Sequence, residues 1–114
     1  MTRHDDAMRL RHMLDYATEA AELARDRRRE DLESDRLLRY AMTHLVEVVG
    51  EAAAHVSQAF REDHPTMPWA EIVGMRNRLI HGYDKVDLDV LWQIIQADLP
   101  SLVVDLRNAL GEGA

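Results

Sequence analysis

Apolar residues return every three or four positions along almost the whole chain, and that spacing commits it to helices. Ala7, Leu10, Leu14, Ala17, Ala21 and Ala24 predict a first helix over about residues 5–26. The charged run Arg25-Asp26-Arg27-Arg28-Arg29-Glu30-Asp31 ends it. Leu38, Ala41, Leu45, Val48, Ala52, Val56 and Phe60 predict a long second helix over about residues 33–63. Gly50 lies inside that helix at a propensity cost of about 1 kcal/mol, and so small a residue leaves room for close approach of another backbone. Val46, Ala53 and Ala54 sit off the stripe, so this helix is expected to touch more than one neighbour.

His64-Pro65-Thr66-Met67-Pro68 breaks the pattern, with Thr66 suited to a cap and Pro68 to a first turn. A third helix is expected from about Trp69 to His81, with Gly82 in the left-handed stop position and Tyr83–Asp87 as a turn. Asp87 or Asp89 then caps a fourth helix with Leu91, Ile94, Ile95, Leu99, Leu102, Val103, Leu106 and Leu110 on its core face. Pro100 kinks that helix or splits it in two. The expected fold is all-α, an antiparallel bundle of four to five helices. A single domain is expected over residues 1–110, with a frayed tail at 111–114.

Composition narrows the function classes. The 114 residues contain no cysteine, which removes disulfides, thiol catalysis and thiolate metal sites. No apolar run is long enough to span a membrane, and the polar start MTRHDDAMRL lacks a signal-peptide core, so a cytoplasmic protein is expected. A net charge of −7 argues against an electrostatic DNA coat or a membrane-surface peptide, but leaves room for a local phosphate site.

Chemistry concentrates in Gly74-Met75-Arg76-Asn77-Arg78-Leu79-Ile80-His81-Gly82-Tyr83. Arg76 and His81 are five residues apart, so a straight helix would separate them by roughly 140°. Their convergence needs His81 at a frayed helix end, or a second copy of the segment facing the first across a two-fold axis. Arg76 can grip two phosphate oxygens through its planar fork. A histidine near a helix C-terminus tends to be protonated there. Together they can cleave RNA without a metal: the 2′-OH attacks phosphorus, histidine moves protons, and arginine stabilises the phosphoryl oxygens. Taken alone, the arginines also fit ordinary solvated helix positions and His81 an ordinary terminator; spacing by itself does not overturn that.

The segment Arg76-Asn77-Arg78-Leu79-Ile80-His81-Gly82-Tyr83 resembles the Arg-x4-His-x-Tyr signature of the HEPN superfamily, in its HepT-type branch. Gly50-Glu51-Ala52, Met67-Pro68-Trp69, Ile72-Val73-Gly74 and Trp92 through Asp98-Leu99-Pro100 resemble that branch too, in the right order over most of residues 8–110. The resemblance implies an all-helical homodimer with both motifs at its interface, acting as a metal-independent endoribonuclease toxin of a type VII-like toxin–antitoxin pair. Carried over, Arg76 and His81 become the catalytic pair, with Asn77 a supporting contact and no cofactor needed. It further implies a partner, a small MntA-like nucleotidyltransferase antitoxin that transfers AMP from ATP onto Tyr83, placing negative charge where RNA would enter. The alternative is a non-catalytic helical module that docks such a nucleotidyltransferase and helps bind its nucleotide.

Two further clusters stand out. His44, Glu47, Glu51 and His55 fall within an arc of roughly 80° on the second helix, which reads as a polar stripe in preference to a metal site. Glu51 is a candidate to approach the cleft and orient Arg76 or His81. The Arg25–Arg29 cluster, interleaved with acids, reads as a solvated loop in preference to an RNA contact. Trp69 and Trp92 read as packing residues, and Met8, Met13, Met42, Met67 and Met75 as core fillers.

Overall fold

The computed structural model describes residues 3–81 and 85–111. Helix α1 (Arg3–Ala24) is followed by a single turn, α2 (Asp31–Ser34), and by the central helix α3 (Arg36–Ala54). Short helices α4 (Gln58–Asp63), α5 (Trp69–Val73) and α6 (Met75–Leu79) come next. A two-stranded hairpin, β1 (Ile80–His81) and β2 (Lys85–Val86), leads into α7 (Leu88–Gln93), a π-helical turn (Ile94–Asp98) and α8 (Leu99–Ala109). The fold is the expected all-α bundle. Among the described residues, no helix is long and apolar enough to cross a membrane.

Helix α1 packs along α3 on one side and α8 on the other. Its buried face is Leu10, Met13, Leu14, Ala17, Ala20 and Ala24, while Ala7 and Met8 face solvent. Small residues at 17, 20 and 24 let the neighbouring helices come close. Helix α3 buries Leu38, Met42, Leu45, Val46, Val49 and Ala53, a face wide enough to meet α1 and, on its other flank, α5 and α6. The off-stripe Val46 and Ala53 are therefore core residues, as the sequence suggested, while Ala54 is exposed.

The long second helix of the sequence reading is three helices. Asp35 caps α3, its side chain accepting from the Leu38 N–H at 3.0 Å. A second break falls at His55–Ser57. Ser57 caps α4 by accepting from the Phe60 N–H, while its own N–H and hydroxyl donate to Asp6 of α1 at 2.9 and 2.7 Å. The chain turns there because a buried carboxylate on another helix holds it.

Pro100 acts through the turn before it. Proline has no N–H to give, and its ring crowds the carbonyl four residues back; the wider π turn at Ile94–Asp98 accommodates both. Leu91, Ile94, Ile95, Leu99, Leu102 and Leu106 nevertheless form one buried face across α7, the turn and α8.

Candidate active site

The site is built on a close backbone approach. An ideal Cβ placed on Gly50 would lie 3.1 Å from the Ile72 carbonyl oxygen and 3.6 Å from that of Val73. Any side chain at this position would push α3 away from the α5–α6 junction. The junction itself turns at Gly74, where a Cβ would sit 3.0 Å from the Ala70 oxygen. Helix α6 starts there and carries the motif arginines.

The third helix stops earlier than its apolar spacing predicts. Ile80 is already extended, at φ −101° and ψ 122°. It pairs with Val86, and His81 with Lys85, in antiparallel register. The Asp87 N–H donates to the Leu79 carbonyl at 2.7 Å and closes the hairpin's base. The histidine of the motif therefore rides on a strand that leaves the helix, and the 140° separation of a straight helix does not apply. The His81 side chain, Gly82, Tyr83 and Asp84 lie outside the described residues.

The two motif arginines part company. Arg78 turns toward the π turn, where its Nη2–H donates to Asp98 Oδ2 at 2.7 Å. Arg76 points to α3 and stays 63% exposed, its Nε–H donating to Glu47 Oε2 at 2.9 Å. Asn77, beside it, is exposed. Arg78 thus ties α6 to the arm that precedes α8, and Arg76 is the cation left open to solvent.

Glu51, the carboxylate singled out from the sequence, is exposed on α3 next to His55, whose Nδ1 approaches the Glu51 carbonyl oxygen at 2.9 Å and a carboxylate oxygen at 3.9 Å. The carboxylate that meets Arg76 is Glu47, one helical turn earlier. In the sequence, Glu47 stands out only as part of the polar row with His44, Glu51 and His55. Its partner, 29 residues away, carries no local sequence signal. Among the described residues, no three His, Asp or Glu side chains gather in a way that could hold a metal ion.

Glu47 also lines an open cleft of about 440 Å³ between α3 and the hairpin, together with Arg39, Tyr40, Thr43, His44, Val86 and Leu88. Arg39 lies over the Tyr40 ring at 5.5 Å, and its guanidinium donates to the Leu32 and Glu33 carbonyls. In the charged loop, residues 25–28 are exposed, and Arg29 bridges Asp89 at 2.7 Å and Glu33 at 2.8 Å. The hydrogen bond to Asp89 raises the Arg29 guanidinium further above its already high range.

The family described as ribonuclease HepT-like matches residues 13–109. A Methanocaldococcus jannaschii protein provisionally named RNase MJ1380 is 34% identical over 102 residues, covering 90% of this chain and 94% of its own length. A Thermococcus cleftensis protein provisionally named ribonuclease HepT is 38% identical over 93 residues, covering 78% of this chain and 84% of that protein. A Caldanaerobacter subterraneus protein provisionally named RNase TTE0752 is 37% identical over 81 residues, 71% of this chain and 72% of its own. No solved structure matches.

Proposed function

This chain belongs to the ribonuclease HepT-like family and is, with that family, an endoribonuclease; we propose that it cuts RNA without a metal, using Arg76 and His81. The observation that carries this reading is Arg76 itself, an exposed guanidinium paired with Glu47, which lines an open cleft, with His81 on the strand that directly follows the arginine's helix.

The chemistry is internal transesterification. The RNA 2′-oxygen attacks the adjacent phosphorus, the P–O5′ bond breaks, and the products end in a 2′,3′-cyclic phosphate and a 5′-OH. The imidazole of His81 moves the proton, and Arg76 neutralises charge growing on the non-bridging oxygens. Asn77 supports the phosphate contact. The enzyme works as a homodimer with both motifs in a shared cleft, and exposed Leu37 and Tyr40 on the α3 face supply apolar surface for that contact. Residues 1–110 act as one domain.

In the same reading the protein is a cytoplasmic toxin. Its antitoxin is a small nucleotidyltransferase that adds AMP to Tyr83. The phenolic oxygen attacks the α-phosphorus of ATP and pyrophosphate leaves. The added phosphate then competes for Arg76 and His81 and blocks RNA.

The test is cleavage of RNA by purified protein in excess chelator. Wild type should cut, leaving cyclic phosphate ends, and Arg76→Ala and His81→Ala should each lose about 10²-fold or more. An unmodified wild type that leaves RNA intact overturns the reading and favours a non-catalytic docking module. Intact mass after coexpression with a small MntA-like nucleotidyltransferase and ATP should show AMP additions that vanish in Tyr83→Phe; an unshifted mass removes the regulatory step.

A further inference from the structure

We propose that Glu47 is a positioning residue for Arg76, holding the guanidinium by its Nε–H so that the opposite edge is presented to a phosphate. This rests on the reading of Arg76 as the cation of the RNase site. Arg76 stands on a five-residue helix, and an exposed arginine there keeps about 2 kcal/mol of rotamer freedom. A transition state needs its charge partner in one place; a misplacement of about 1 Å can cost about 10²-fold in rate. Something must therefore hold the side chain, and the Glu47 carboxylate does so at 2.9 Å.

The geometry of the contact suits that task. Glu47 engages Nε, and among the described residues no hydrogen bond takes the two Nη groups. That edge can still donate to two phosphate oxygens. Glu47 is itself steady: it lies in the middle of α3, next to fully buried Val46, with its side chain only 31% exposed. The reach is set by Gly50. Gly50 lies against Ile72 and Val73, and three residues back along α3 and three residues on past Val73 the pair is Glu47 and Arg76. The glycine contact and the ion pair are thus two rungs of one antiparallel approach between α3 and the α5–α6 segment.

A carboxylate this close also has a cost, because it repels an incoming phosphate. That predicts a split in the kinetics. Removing Glu47 should lower kcat by loosening Arg76, while leaving KM unchanged or lowered because a repulsive charge is gone. A residue that merely stabilised the fold would not give that split.

The experiment measures kcat and KM for RNA cleavage in chelator by the full chain and four variants. Glu47→Ala should lose about 10²-fold in kcat without a rise in KM. Glu47→Gln should recover most of that loss, since the amide oxygen still accepts from Nε–H. Glu47→Asp, one methylene shorter, should behave like Ala and replaces it if circular dichroism shows Glu47→Ala unfolded. In ¹⁵N–¹H spectra the Arg76 Nε–H, assigned by its absence in Arg76→Ala, should be a slowly exchanging resonance in wild type and Glu47→Gln, and lost to exchange in Glu47→Ala. An active wild type with Arg76→Ala dead, but Glu47→Ala and Glu47→Asp cutting at the wild-type rate, overturns the positioning role alone. Faster cutting by Glu47→Ala also overturns it, since the carboxylate would then be a restraint. An Arg76→Ala that cuts normally, or an inactive wild type, removes the reading of Arg76 and this role with it.

Discussion

Asp6 shows how much a single side chain can organise. Among the described residues it is the one charged group that is fully buried, at 5% exposure. A buried carboxylate is tolerable only when its oxygens are satisfied, and both accept from Ser57. The same serine caps α4, so one residue pair joins the N-terminal helix to the corner where the central helix gives way. Nothing near Asp6 in the sequence marks it, because an aspartate in a helix's first turn is ordinary helix chemistry. Asp6→Ala leaves the Ser57 N–H and hydroxyl without these acceptors and should lower unfolding free energy by about 1–3 kcal/mol. Urea denaturation checks this, and a change under half a kilocalorie would show that water replaces the carboxylate freely. The same scale separates the two motif arginines. Arg76 and Arg78 look alike in the sequence, yet one faces α3 and solvent while the other is tied to Asp98.

Elements are decided by contacts between them. Gly50 costs α3 about 1 kcal/mol in propensity, so Ala should help an isolated helix. Here an alanine Cβ would press on a backbone carbonyl at 3.1 Å, and a carbonyl inside α5 cannot swing aside like a side-chain tip. Overpacking of this kind costs about 1–3 kcal/mol. The balance predicts that Gly50→Ala destabilises the protein by up to about 2 kcal/mol, as read by thermal or urea melts. It should also reduce RNA cleavage at temperatures where the variant is fully folded, because α6 moves away from Glu47. A variant more stable than wild type, with full activity, would mean that the approach relaxes at no cost. The hairpin carries a related lesson. Two-residue strands are too short to reveal a period of two, and Ile80 falls on the helical apolar spacing, so the sequence reads as helix up to His81. The extended backbone at Ile80 comes from pairing with Val86, a contact that local propensity does not encode.

At the scale of the molecule, the bundle is a slab of 42 × 33 × 20 Å. A body about two helices thick cannot surround an RNA strand, and the cleft beside Glu47 is open rather than enclosed. Leu37 and Tyr40 stand 77% and 59% exposed on α3 near that cleft. In the proposed homodimer, these two side chains are where a second copy would seat. Leu37→Glu should therefore weaken self-association at least about tenfold, a change of about 1.4 kcal/mol, in sedimentation velocity, and cleavage should fall with it at low protein concentration. An unchanged association state in Leu37→Glu and in Tyr40→Ala would overturn this face as the seat of a second copy.

Helical class, the proline breaks and the small-residue approach at Gly50 were legible in the chain, because each rests on spacing or on the intrinsic geometry of one residue type, whereas the Arg-x4-His-x-Tyr segment stood out only by its resemblance to a family. The substitution of Glu47 for Glu51 beside Arg76, the division of labour between Arg76 and Arg78, the Asp6–Ser57 anchor and the strand under His81 were not. Each joins residues far apart in the chain, and a helix of 3.6 residues per turn offers several carboxylates on neighbouring faces. Which of them meets a given cation is settled only when the helices pack and fix their relative height and rotation.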